Sequence, residues 1–127
     1  MASSAGTCTI TEERHGSIKK VKWSWVAGSG IKVASITTPT TTYYYNGKIE
    51  GLVTVGATGS TAPSNDYDIT IKDGSSVDVL LGLGADRAAT TEYTKGASLG
   101  VVANTTLTLG IAGTGSSNAG AVYFYLR

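Results

Sequence analysis

The 127-residue sequence contains few of the residues that build reactive sites. Its only cysteine is Cys8 and its only histidine is His15. A single cysteine cannot close a disulfide within the chain, and these two side chains do not complete a four-coordinate zinc site. A Ser/His/Asp triad would need His15, which lies in a predicted exposed turn. The composition therefore disfavours an enzyme and predicts no metal or cofactor.

Strong charge and long apolar runs are missing as well. The net charge is only +1, whereas a nucleic-acid-binding protein needs a basic stripe that faces the phosphates. No stretch approaches the ~18 consecutive apolar residues of a membrane-spanning helix, and residues 1–16 lack the pattern of a signal peptide. We therefore expect neither nucleic acid nor membrane as a partner. Charged residues make up 15% of the chain, and so light a charge favours a component of an assembly.

Alternation of apolar and polar residues is the dominant pattern that is present. It recurs in short segments at the spacing typical of a sandwich, between turns supplied by seventeen glycines and many Ser and Thr residues. The sequence predicts an all-β protein, a β-sandwich of about eight or nine short antiparallel strands that is compatible with a jelly roll. Residues 1–6 are predicted to form an N-terminal arm, and residues 7–127 a single domain.

Segment 66–84 is predicted to form a β-hairpin. Asp73-Gly74 supplies turn residues, and apolar side chains alternate with polar ones on both sides of it. The side chains predicted to face the core are Tyr67, Ile69, Ile71, Val77, Val79 and Leu81. A lone hairpin is marginal in water, so this face requires a second sheet over it.

The rest of the chain supplies strands for that sheet. Residues 18–27 place Trp23 and Trp25 on one face, which we expect to be core, and three lysines outside, where Glu12 and Glu13 can pair with them. Asn46-Gly47 predicts a second hairpin with a type I′ turn. Further inward-facing positions are predicted at Val21, Leu107, Leu109, Ile111, Val122, Phe124 and Leu126. Ile31 and Val33 are predicted to form a weak strand that can extend to Ser35.

Three smaller features allow more than one interpretation. Gly51 inside a strand indicates a bulge or a close backbone approach. Residues 85–100 are polar and allow one helical turn but no long helix. Four aspartates, at positions 66, 68, 73 and 78, could supply oxygen ligands to Ca²⁺, but their spacing does not match an EF-hand, and a solvent-exposed face with a turn aspartate is favoured.

Two stretches are candidates for partner binding. The first is the run of Tyr43, Tyr44 and Tyr45, because exposed tyrosines are common in sugar sites and protein interfaces. Strand alternation would expose either Tyr44 alone or Tyr43 together with Tyr45. An ordinary role as β-forming residues explains the run equally well.

The second candidate stretch is the arm, with its contact residues Met1, Ala2, Ser3, Ser4 and Ala5. These small residues have little to bury against their own core, so we expect the arm to lie on a neighbouring subunit. The alternative is an arm that folds back along its own sheet.

Several segments in collinear order, covering nearly the whole chain, resemble a family of short β-rich proteins encoded among the head and structural genes of tailed bacteriophages. They are residues 9–25, 43–55, 66–73 with 77–80, 97–103 and 122–127. The matching motifs are strands and turns, so they imply a fold family more than a site. No catalytic residues come with this resemblance.

The resemblance implies a virion structural protein. Small all-β proteins of this kind commonly act as capsid decoration or cement proteins. The expected partners are the major capsid protein and copies of the chain itself, and the expected location is the capsid surface of the virion, after synthesis in the host cytoplasm. Two alternatives stay open: a tail or head–tail connector protein, and a carbohydrate-binding module that uses the Tyr43–Tyr45 strand.

Overall fold

The computed structural model describes residues 3–127, with the backbone alone for Ser98. Strands hold 51% of the residues and short helical turns 6%, which confirms the all-β prediction. The eight strands are β1 (Thr7–His15), β2 (Ile18–Val26), β3 (Tyr45–Gly56), β4 (Asp68–Lys72), β5 (Glu92–Lys95), β6 (Val101–Thr105), β7 (Thr108–Ala112) and β8 (Ala119–Leu126). Among the described residues, no helix is long and apolar enough to cross a membrane.

Six strands form one antiparallel sheet in the order β1-β2-β8-β3-β5, in which β6 also pairs with β3. β5 and β6 lie end to end along β3, opposite residues 51–54 and 45–48 respectively. Strands β4 and β7 pair separately as a two-stranded sheet. Isolated bridges extend this smaller sheet on both sides, since Thr40 pairs with Thr108, and both Asp78 and Arg87 pair along β4.

The second layer is therefore built from four segments: residues 39–41, β7, β4 and residues 78–87, the last of which is a turn bridged to the β4 segment at Asp78 and Arg87. The chain passes repeatedly between the two layers. Residues 39–41 follow β2, β4 and residues 78–87 follow β3, and β7 follows β6, and after each of these segments the chain returns to the larger sheet. This arrangement is a jelly roll with β1 added at one edge. Residues 35–43 run beside that edge: Gly6 pairs with Ile36, and the Thr38 hydroxyl donates to the Cys8 carbonyl.

The core lies between the two layers. Trp23 and Trp25 of β2 are 0% and 1% exposed, as the alternation predicts. The Trp25 ring packs on the Tyr67 ring with centroids 5.7 Å apart, and Trp23 packs on Phe124 at 6.3 Å. The inward positions Tyr67, Ile69, Ile71, Val79, Leu107, Leu109, Ile111, Val122, Phe124 and Leu126 are all buried, so these predictions are confirmed.

The predicted hairpin over residues 66–84 is wrong in its second arm. The chain does return antiparallel to β4, but as an irregular turn in which Val77 and Leu81 are 54% and 63% exposed and Leu80 is buried. The Asp78 carboxylate is the cause, because it accepts hydrogen bonds from the backbone N–H groups of Ile71, Leu80 and Gly82 and so bends the chain.

The predicted type I′ turn at Asn46-Gly47 is also wrong, because β3 runs straight through both residues. A type I′ turn requires positive φ at both central residues, and only Gly47 has it, at +132°. Gly47 instead lies against the backbone of Arg127, where an added Cβ would collide with the carbonyl oxygen. The bulge predicted at Gly51 is confirmed by a register shift between Ile49 and Gly51.

The stretch around Ile31 and Val33 is not a strand. Gly30–Lys32 form a single 3-10 turn, and Ile31 is 93% exposed. Strands β5 and β6 were not predicted, because residues 92–105 show no regular alternation of apolar and polar residue types in the sequence. The one helical turn allowed within residues 85–100 is present at Gly96–Ser98.

We predict that Trp23→Ala lowers the free energy of unfolding by about 3–5 kcal/mol, since it empties the largest site in the core. Urea unfolding followed by circular dichroism measures the loss. Val26→Ala on the same strand is the matched control: Val26 is 42% exposed, so its change should stay within about 0.5 kcal/mol. Equal losses from both substitutions would contradict the core position of Trp23.

Candidate partner-binding site

The three consecutive tyrosines divide between core and surface in a way that alternation did not predict. Tyr45 begins β3 and is 3% exposed, whereas Tyr43 and Tyr44 are 62% and 64% exposed. The expectation that Tyr43 and Tyr45 share a face is wrong because residues 41–44 lie outside any strand. We call residues 41–45 the tyrosine loop.

The Glu12 carboxylate holds the tyrosine loop in place from β1. Its Oε1 atom accepts the Tyr45 hydroxyl at 2.7 Å and the Tyr43 N–H at 3.2 Å, and its Oε2 atom accepts the Thr42 N–H at 3.1 Å. Burial and the hydrogen bond to Glu12 both raise the pKa of Tyr45, so this hydroxyl remains a donor over the physiological pH range. Hydrogen bonds to a charged acceptor are among the stronger ones in proteins.

The opposite side of the loop is attached to the second layer. The Thr41 N–H donates to the Leu107 carbonyl at 2.9 Å, and the Leu107 N–H donates to the Thr41 hydroxyl at 3.0 Å. The Thr41 hydroxyl in turn donates to the Tyr43 carbonyl at 3.0 Å. Both layers therefore fix the loop, and two neighbouring tyrosine side chains project from a rigid base.

A cleft of about 360 Å³ lies beside the loop, lined by Glu12, Glu13, Arg14, Tyr43 and Tyr45. It combines an exposed aromatic ring with carboxylate acceptors and a guanidinium donor. Such a set of groups can hold polar ligands that also present a flat apolar surface.

The described part of the arm lies on its own chain. The Gly6 N–H donates to the Ser35 carbonyl at 2.7 Å, the Ser29 N–H donates to the Ser4 carbonyl at 2.8 Å, and the Ser3 hydroxyl accepts the Ile31 N–H at 3.2 Å. From Ser3 to Gly6 the chain thus adopts the fold-back alternative. Ala5 is exposed in this stretch, while Met1 and Ala2 lie outside the described residues.

The fold does not bring the two predicted contact stretches together. The arm enters β1 at Thr7, whereas the tyrosine loop is attached five residues later at Glu12. At about 3.3 Å per residue the two points are roughly 17 Å apart along the strand. They are separate surfaces of the molecule.

Glu12 itself was missed as a site residue. In β1 it shares a face with the buried Cys8 and the partly buried Ile10, whereas the sequence predicted a pairing with lysines. In the described residues it forms no ion pair with Lys20 or Lys22; these two ammonium groups lie 5.4 Å from the Tyr123 ring centroid instead. The sequence did contain one indication of this role. A carboxylate at a core-facing position of a strand needs hydrogen-bond donors on that side of the sheet.

Arg87 was also missed, because the sequence gives no local sign of its burial. It is 1% exposed, and its guanidinium donates to the hydroxyls of Thr54 at 2.9 Å and Thr94 at 2.7 Å. Burial lowers the pKa of Arg87, and the Glu92 carboxylate 3.5 Å away opposes that effect. This side chain binds β5 to β3 and is structural.

The remaining polar candidates are occupied within the chain. The carboxylates of Asp73 and Asp78 accept nearby backbone N–H groups, as turn aspartates do, and the Asp68 carboxylate accepts the Asp86 N–H at 2.9 Å. The fourth aspartate, Asp66, is exposed. His15 is exposed, 3.1 Å from the Glu13 carboxylate. Within residues 3–127, no three His, Cys, Asp or Glu side chains come together as a metal site.

Comparison of the chain with protein-family models, curated proteins and solved structures gives no match in any of the three. The interpretation of this site therefore depends on its geometry and on the resemblance described above.

We predict that Glu12→Ala destabilises the fold by about 1–3 kcal/mol, because three donors lose a charged acceptor at once. It should also speed amide exchange at Thr42 and Tyr43, measured by hydrogen exchange. Glu13→Ala is the matched control, since Glu13 contacts only the exposed His15 among hydrogen-bonding groups of the described residues. A similarly small effect of both changes would show that Glu12 does not hold the loop.

We predict a loss of stability in alkali that depends on Cys8. Burial raises the pKa of this thiol from 9.0 to about 11. The unfolded chain therefore loses its proton first, and stability present below pH 9 declines as pH rises through this window. At pH 10 the loss should be about 1.4 kcal/mol relative to pH 8, measured by urea unfolding. Cys8→Ser should abolish that part of the decline; an unchanged decline would place its origin elsewhere.

Proposed function

We propose that this chain is a virion structural protein, most specifically a decoration or cement protein on the outside of a phage head. Its partners are the major capsid protein and copies of itself, and its location is the capsid surface after synthesis in the host cytoplasm. The collinear resemblance to phage structural proteins motivates the class. The jelly-roll fold agrees with it, since capsid domains often use this architecture.

The observation that carries the proposal is the fixed tyrosine loop. Tyrosine supplies a large contact area at a low cost in conformational entropy, and it is enriched at interface hot spots. Tyr43 and Tyr44 are more than 60% exposed, yet their backbone is attached to both layers through Glu12 and Thr41. A rigid base with exposed aromatic side chains loses little further freedom on binding.

The proposed action is mechanical. A folded module that binds only assembled subunits stabilises the assembled state by mass action. Many symmetric copies convert a weak individual contact into a strong total one. A tail or head–tail connector role would use the same physics on another part of the virion, and binding to purified heads and purified tails separates the two.

The cleft beside Tyr43 favours one second candidate, a carbohydrate-binding module. Its aromatic ring, the Glu13 carboxylate and the Arg14 guanidinium line one concave surface, which is the combination that sugar recognition uses. A glycan array tests this candidate directly. Binding to a glycan that is lost in Tyr43→Ser would establish it, and an array without hits would exclude it.

We predict that the purified protein sediments with empty heads of the phage that encodes it, and that the double substitution Tyr43→Ser with Tyr44→Ser weakens this binding at least tenfold. Losing two hot-spot tyrosines commonly costs more than the 1.4 kcal/mol that corresponds to about tenfold. Decorated heads should also survive higher temperature than bare heads.

Val101→Ser is the control for this experiment, because Val101 is an apolar side chain 71% exposed on β6. It should sediment like the original chain. Failure of the unsubstituted protein to bind heads, or equal binding by the tyrosine variant, would contradict the proposal.

A further inference from the structure

Charge is distributed unequally between the two layers of the sandwich. Five of the nine acidic residues lie between positions 66 and 86, on β4 and the turn segment beside it, against Lys72 as the one lysine there. They are Asp66, Asp68, Asp73, Asp78 and Asp86. The larger sheet carries lysines on the surface that faces away from the core, at Lys20, Lys22 and Lys95, with Glu13 opposite Lys20. The molecule is therefore dipolar, although its net charge is only +1.

The outer surface of the larger sheet has no covering element among the described residues, and we call it the basic face. Lys20 and Lys22 lie over the Tyr123 ring, which keeps their charges close to the surface of the sheet. Two residues further along the same strands, at Ser24 and Ala121, the side chains become small.

These small side chains leave a shallow hollow of about 390 Å³ beside the lysines. It is lined by Thr7, Thr9, Ser24, Trp25, Val26, Val55, Gly56, Ala57, Ala119, Gly120 and Ala121. Gly120 contributes only backbone to the hollow, since an added Cβ would point to the core side and lie 2.6 Å from Cζ2 of the buried Trp25. The basic face therefore combines an apolar hollow with adjacent positive charge.

The opposite layer presents the complementary pattern. We call residues 78–86, together with Asp66, whose N–H donates to the neighbouring Arg87 carbonyl at 2.9 Å, the acidic edge. Leu81 and Leu83 project from it, 63% and 42% exposed, between Asp78 on one side and Asp86 on the other. Leu81 has a φ of +54°, a left-handed conformation that is unfavourable for a leucine. The chain holds an apolar side chain out into water at a cost in backbone strain, which points to a contact that covers it.

We propose that the acidic edge of one copy docks on the basic face of a second copy, with Leu81 seated in the hollow and Asp86 near Lys20 and Lys22. The two surfaces match in charge and in apolar character. A basic face placed against another basic face would bring lysines together, so the contact is heterologous. Repetition of such a contact yields a ring or a row of copies.

The inference depends on the proposed function in one respect only, namely that the neighbouring copies lie on a phage head. The contact itself belongs to the free protein. Sedimentation velocity over a range of concentration and salt therefore tests it without capsids. We expect reversible self-association that weakens as salt rises, because screening shortens the reach of exposed charges to a few ångströms near 1 M.

Two variants test the two surfaces independently. K20E with K22E removes the basic face, and D66N, L81N and D86N together remove the acidic edge. Asn tolerates the positive φ at all three of these positions, so the second variant keeps the backbone. Each variant alone should lose at least about tenfold in association constant. Mixed together, they should form a one-to-one dimer that grows no further, because one intact contact remains.

K32E is the control, since it reverses the charge of an exposed lysine in the 3-10 turn Gly30–Lys32, which belongs to neither sheet. It should associate like the original chain. Recovery of association in the mixture also shows that both variants are folded. A monomeric original chain at every concentration, association without salt dependence, or a mixture that stays monomeric would each overturn the inference. Failure of head binding with self-association intact would instead contradict only the proposed function.

Discussion

The Pro39 carbonyl oxygen is the point at which the two layers of this sandwich are joined. It accepts the indole N–H of Trp23 from the larger sheet at 2.9 Å and the Leu109 N–H from the smaller layer at 3.1 Å. The indole can be buried because its one donor is satisfied there. Trp23 and Trp25 then provide the apolar surface over which the second layer closes, and that layer carries the acidic edge and fixes one side of the tyrosine loop.

The hydrogen bonds to the Pro39 carbonyl also help to position the tyrosine loop. Pro39 and Tyr43 belong to one short segment that runs beside β1, and the same segment is fixed by Glu12 and Thr41. Residues that stabilise the fold therefore also orient the exposed Tyr43 and Tyr44. A partner that contacts these tyrosines binds a preformed surface, so most of its binding energy is available for affinity.

The proposed assembly contacts use different parts of the molecule. The tyrosine loop lies at the end of β1, while the basic face and the acidic edge lie on the outer surfaces of opposite layers. The proposed contacts with a capsid and with two neighbouring copies therefore do not overlap on the surface of the molecule. The edge of β1 is covered by residues 35–43, which favours association through side-chain surfaces over added strands.

Local alternation determined which side chains of β2, β4, β7 and β8 enter the core, because a period of two is a property of neighbouring residues alone. The bulge at Gly51 could be predicted from the sequence for the same reason. Contacts that alternation does not reveal decided the rest. Asn46-Gly47 stays extended because β3 must pair with β8 and β6. The Glu12 carboxylate accepts the Tyr45 hydroxyl and the Arg87 guanidinium donates to the Thr54 hydroxyl, each across 33 positions of sequence. Asp78 bends a predicted strand by accepting N–H groups only 2 to 7 positions away. A sequence shows which residues can be buried, but only the tertiary structure supplies the partners of their polar groups.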